Sequence, residues 1–121
     1  MTPLLAVAVI ATGAVATVVR WLVSLAFARR PGFPWAVLTV NLVGSLIGGG
    51  VLALAERAAV GHDLRIILLT GLCGGLTTFS TFSVETITLI QAGKTRVALL
   101  SVAANLALGI GAASLAYLLL R

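Results

Sequence analysis

The sequence predicts an all-α membrane protein of four transmembrane helices, the third of them broken, and three observations carry that expectation. Of the 121 residues, 60% are hydrophobic and only 9% are charged, too few charges to cover a soluble domain. The apolar residues fall in long blocks instead of helical stripes or strand alternation. Within the third block, the stretch Gly71–Ser83 packs three glycines, five hydroxyl residues and two phenylalanines into thirteen positions. Irregular backbone at membrane depth survives only when buried in protein or lining a polar cavity, so this stretch predicts a helix interrupted around a ligand or ion.

The first span is expected over residues 4–27. Met1 to Thr17 has the small apolar residues of a signal peptide, but no basic segment precedes it and the apolar run continues to Phe27. A retained span is the better reading. Gly13, Thr17, Arg20 and Ser24 share one helical face. Arg20 costs about 2.5–3.5 kcal/mol at membrane depth on insertion scales. Either it snorkels to the interface beside Trp21, or it faces inward to attract or hold an anion; the second is the expectation.

The second span is expected over residues 35–54, after the loop Phe33-Pro34-Trp35. Asn41, Gly44, Ser45 and Gly48 form a small-and-polar stripe that includes a GxxxG pair. An amide in a span must find a partner, so Asn41 is either interhelical glue or a hydrogen-bond donor to a permeating ion. The charged loop from Glu56 to Arg65, including His62, reads as a solvated connection.

The third span is expected over residues 65–91. Unbroken, it would run about 40 Å, well past the roughly 30 Å hydrocarbon core. A break near Gly74-Gly75 relieves the excess and leaves free carbonyls and N–H groups, the device by which transporters hold ions near the midplane. Phe79 and Phe82 share a face of the second half-helix with Ser83 and Thr86. Glu85, one turn on, is the only acid in any span and must pair internally. The fourth span is expected over residues 97–120, with Ser101, Asn105 and Gly109 on one face. Asn105 carries the same two readings as Asn41. The whole chain, 1–121, is one four-span domain.

Loop charges do not choose an orientation. Arg57, Arg65 and Arg121 lie on one side, and Arg29, Arg30, Lys94 and Arg96 on the other, nearly no bias by the positive-inside rule. The chain is therefore expected to insert both ways round and pair antiparallel with a second copy. One such bundle is also too small to enclose a pore easily.

Several functions are excluded. The net charge of +5 is not clustered, so nucleic acid is not a partner. Cys73 and His62 are the only cysteine and histidine. No catalytic or metal-spaced set can be assembled from such an inventory, and the chain is expected not to be an enzyme. Inward-facing Arg, Asn, Ser, Thr, backbone N–H groups and Phe edges are donors and positive edges, a lining suited to a small hydrated anion. Two other classes fit the sequence less well. A proton-coupled exporter of organic cations, similar to the small multidrug-resistance exporters, needs an acid in the first span where this chain carries Arg20. A purely structural subunit does not need a broken third span.

Three blocks, Gly13-Ala14 through Arg20-Trp21, Thr39 through Gly44, and Gly71 through Phe82 with Glu85, resemble the Fluc (CrcB) fluoride channels. The resemblance implies a dual-topology antiparallel homodimer with two fluoride pathways, passively exporting fluoride across the cytoplasmic membrane of a bacterium or similar microbe. It implies a structural sodium ion at the dimer centre, on the backbone carbonyls of Gly74 and Thr77. It places Phe79 and Phe82 along the pathways, Asn41 on the ion, hydroxyls such as Ser80 and Thr81 in a polar track, and Arg20 near the aqueous entrance. Where the family's track calls for a tyrosine, this chain has Ser101; Asn105 fits the track by helical spacing. Thr39 and Glu85 are further polar residues within the spans.

Overall fold

The computed structural model describes all 121 residues, Met1–Arg121. Four helical rods are long and apolar enough to cross a membrane. Helix α1 (Pro3–Ala26) starts on Thr2, whose hydroxyl accepts from Leu5 N–H, with Pro3 in the first turn, where its missing donor costs nothing. Helix α2 spans Trp35–Glu56. The third rod is composite: α3 (His62–Ile66), a π-helical segment (Ile67–Cys73) and α4 (Gly74–Leu76), then an interruption, then α5 (Ser80–Gln91). Helix α6 (Thr95–Leu120) closes the chain. The helices run past the apolar blocks at their charged ends, α2 to Glu56 and the third rod from His62. Asp63 sits in that rod's first turn, where its charge suits the helix dipole.

The molecule is greasy outside and tight inside. Val7, Ile10 and Val18 on α1, and Leu99, Leu106 and Ile110 on α6, are exposed, as lipid requires. One buried cluster joins Ala16, Val40 and Leu76, with Val23, Ile47 and Leu72 packed around them. It lies where α1 and α2 meet α4, directly before the interruption. Lipid gives helices no hydrophobic reason to associate, so close packing of small residues has to supply it.

Glycine provides that packing at two crossings. A Cβ on Gly75 would lie 2.4 Å from the carbonyl oxygen of Gly13, and one on Gly49 would lie 2.1 Å from that of Ala113. The α1–α4 and α2–α6 pairs thus meet backbone to backbone. The expected GxxxG pair serves a different contact: a Cβ on Gly44 would strike the Thr77 methyl at 2.2 Å, so Gly44 seats the residue that opens the interruption.

The interruption itself is not at the glycines. Gly74 is helical, with φ −62° and ψ −38°, and the chain leaves the helix at Thr77, which is extended at φ −83° and ψ 160°. The expected break at Gly74-Gly75 is corrected to Thr77–Phe79. The physical reason is that Gly75 is needed for contact with Gly13, a demand for small size and not for unusual dihedral angles.

Candidate functional site

At the interruption the helical ladder ends with Thr77 N–H donating to Cys73 O (3.0 Å). No backbone N–H reaches the carbonyls of residues 74–77. Such groups need other partners inside a membrane, and side chains of α1 supply two of them. Thr17 of α1 donates to Gly75 O (3.3 Å), and Arg20 Nη1 donates to Thr77 O (3.2 Å). Arg20 therefore turns inward, and the partner it holds is the Thr77 carbonyl at the break.

From α2, Asn41 clamps Thr78 with both ends of its amide. Its Oδ1 accepts from Thr78 N–H (2.9 Å) and its Nδ2 donates to Thr78 O (3.2 Å). The same Nδ2 donates to Asn105 Oδ1 on α6 (3.2 Å). Asn105 in turn donates to Ser101 O (2.8 Å). Asn41 and Asn105 are thus bonded to each other across α2 and α6, as the first of their two readings describes. Thr78 was not singled out by sequence reasoning, yet it is the hub. Besides its backbone clamp, its hydroxyl accepts from Thr81 N–H (3.1 Å), capping the start of α5 at a typical worth of about 1 kcal/mol. A Thr just before a helix start is a legible cap signal; the surrounding run of hydroxyls hid it.

Two cavities flank the clamped segment, with Thr78 on the wall of both. The larger, about 530 Å³, brings together Asn41, Ser45, Thr77, Phe79, Phe82 and Asn105. The rings of Phe79 and Phe82 stand 6.1 Å apart at 45°, and Phe79 is 80% exposed. The smaller, about 330 Å³, is lined by Thr17, Arg20, Ser24, Thr81 and Glu85. Glu85 Oε2 is buried there without a hydrogen-bond partner, so the internal pairing expected of Glu85 is not met for this oxygen within one chain. The predicted anion-handling residues therefore fall in two groups on opposite sides of the break. Ser80 joins neither; its exposed side chain lies 3.4 Å from the Thr78 hydroxyl. Thr39 donates to Trp35 O (2.8 Å), and Ser83 and Thr86 likewise donate back along α5, so these hydroxyls are satisfied within their own helices. A third groove, between α2 and α6, runs on from Ser45 to Glu56, which accepts from the Tyr117 hydroxyl (2.5 Å).

The carbonyls freed at the break are hard oxygen donors of the kind an alkali cation takes. Gly74 O has no backbone N–H partner and fits such an ion; Thr77 O is already used by Arg20, whose charge would oppose a second cation on the same atom.

Fold and site together define a multi-pass helical membrane protein whose broken third span is flanked by two cavities, each with several polar side chains in its wall. The family model described as CrcB-like protein, Camphor Resistance (CrcB), matches residues 7–117, and the chain belongs to this family. It is 45% identical over 102 residues to a protein of Erwinia tasmaniensis named fluoride-specific ion channel FluC, covering 83% of this chain and 80% of that one. A relative from Nitrobacter hamburgensis, fluoride-specific ion channel FluC 1, is 42% identical over 108 residues, with 87% and 86% covered. One from Yersinia pseudotuberculosis with the same name is 42% identical over 116 residues, with 94% and 91% covered. The family is one of ion channels, and the chain is not an enzyme.

Proposed function

We infer that this chain is a fluoride-selective channel that lets fluoride leave the cytoplasm passively across the cytoplasmic membrane. The carrying observation is the cavity that brings the Asn41 amide, bonded to Asn105, together with the Phe79 and Phe82 rings, an N–H donor and ring edges able to take over part of the water shell of a small anion. Named relatives with the same activity support the reading. Arg20, with Thr81 beside it, draws the anion toward the break from the other cavity. Ser80 extends the hydroxyl track.

Phe79, so exposed in one chain, needs a second surface to become a pore wall. An antiparallel second copy supplies it, consistent with the near-equal loop charges, and the apolar outer faces meet lipid. A sodium ion at the dimer centre would rest on Gly74 O, with Thr77 O available once Arg20 shares or releases it. Bound there, it supplies positive charge that ties the two chains together.

Reconstituted protein in potassium-loaded liposomes, with valinomycin to balance charge, is expected to release fluoride to an electrode while chloride stays inside. Chloride escaping as fast, or neither ion moving, overturns the reading. Phe79→Ala and Phe82→Ala are each expected to cut fluoride flux about tenfold, a barrier change of about 1.4 kcal/mol, while the dimer still purifies. Orientation is read by labelling: Ala59→Cys, exposed between α2 and α3, in a Cys73→Ala background is expected to react with an impermeant maleimide from both sides. Reaction from a single side defeats dual insertion.

A further inference from the structure

The Asn41 amide has two N–H bonds, and both are already spent. One is held by Thr78 O and the other by Asn105 Oδ1, each at 3.2 Å. Losing the first would unclamp the break, so only the second is free to be exchanged. Asn105 cannot simply flip away. Its Nδ2 donates to Ser101 O, an acceptor only, and Ser101 is completely buried. Turning the amide over would set oxygen against oxygen there and NH2 against NH2 at Asn41. The Asn105 oxygen is therefore aimed at the one donor that the Phe79–Phe82 cavity offers from Asn41.

We propose that Asn105 Oδ1 is a resident competitor for the permeating anion, holding the Asn41 N–H when the site is empty and retaking it as the ion departs. The proposal rests on the channel reading above. A small anion displaces the amide oxygen because charge-assisted hydrogen bonds are roughly twice as strong as neutral ones. The competing oxygen then lowers the net gain, and a conducting site must bind weakly enough for the ion to leave. Displacing the amide costs the same whichever anion arrives. Asn105 thus sets how tightly anions bind and how fast they go, and leaves the preference among anions to the rest of the cavity. It is a positioning residue for release.

The test is fluoride flux from liposomes at graded fluoride concentrations, for the full chain and for Asn105→Ala, Asn105→Ser and Asn105→Asp. With the competitor gone, Asn105→Ala is expected to lower the half-saturating fluoride concentration about three- to tenfold, the value of one neutral hydrogen bond. Its maximal rate falls, and the fluoride-to-chloride ratio at low concentration stays at the wild-type value. Asn105→Ser, whose hydroxyl is too short to reach Asn41, follows Ala and decides the matter if the Ala chain does not assemble. Asn105→Asp, a charged competitor, moves half-saturation upward. A half-saturation that stays put or rises in both Ala and Ser overturns the proposal, as does a loss of flux with a collapsed ion ratio, the mark of a merely structural role. Wild-type protein that passes no fluoride removes the channel reading itself; wild-type protein that passes it selectively, with Ala and Ser variants unshifted, removes only this inference.

Discussion

Alanine at either Gly49 or Gly75 is expected to destabilise the protein by more than about 3 kcal/mol, the upper end of ordinary overpacking. At Gly75 the added carbon would lie 2.4, 2.9 and 3.0 Å from the oxygen, Cα and carbonyl carbon of Gly13; at Gly49 it would lie 2.1 to 2.8 Å from the same atoms of Ala113. All six neighbours are backbone, so no rotamer change makes room and the helices must part. Parting them also breaks what rides on the crossing, including the Thr17 and Arg20 bonds to the break. Gly44→Ala meets only the Thr77 methyl, a side chain that can turn, and costs less. Gly61→Ala has no atom within 4 Å and a φ of −70°, so it should cost only the poorer fit of Ala at the N-cap of α3, about 1 kcal/mol or less. Thermal unfolding and size-exclusion profiles in detergent read the series. Wild-type melting in both Gly49→Ala and Gly75→Ala would refute the backbone-contact account.

Asn41→Asp is expected to abolish conduction, lowering fluoride flux by about a hundredfold or more, equivalent to about 2.7 kcal/mol. The substitution changes almost no volume. It keeps an acceptor for Thr78 N–H but replaces the donor facing Thr78 O and Asn105 Oδ1 with a third oxygen, and it places negative charge on the proposed anion path. Asn41→Leu removes the clamp altogether and leaves Thr78 N–H unpaired, at about 1–3 kcal/mol of stability. The pair separates two effects: Leu should lower the melting temperature and flux together, whereas Asp should lose flux beyond its loss of stability. Asn41→Asp conducting like wild type would remove Asn41 from the ion's route.

Much of this protein is legible before any coordinate is seen, but unevenly. The four rods follow from apolar length, because lipid leaves a backbone few alternatives. The polar stretch in the third span likewise announces an interruption. Its position is misread because glycine reports two different needs with one letter. Gly74-Gly75 looks like a hinge, yet Gly75 is there so that α1 can come close, and the chain turns at Thr77, a residue with no special dihedral freedom. Asn41 shows the same limit. That a membrane amide requires a partner is a sequence-level deduction; that the partner is Thr78, with Asn105 on the remaining N–H, is not.

By itself, the sequence determined the class: four spans, one interrupted, and a stripe of small and polar residues on every helix. These are local properties, decided by transfer free energies and helical periodicity along the chain. Only the tertiary structure decided the division of labour. It put Arg20, Thr81 and Glu85 on one side of the break and Asn41, Phe79, Phe82 and Asn105 on the other, with Thr78 between them. Those assignments depend on which unsatisfied backbone group each side chain meets across helices 37 to 64 residues apart in sequence. Periodicity can place a residue on a face; only the packing of one helix on another selects its partner.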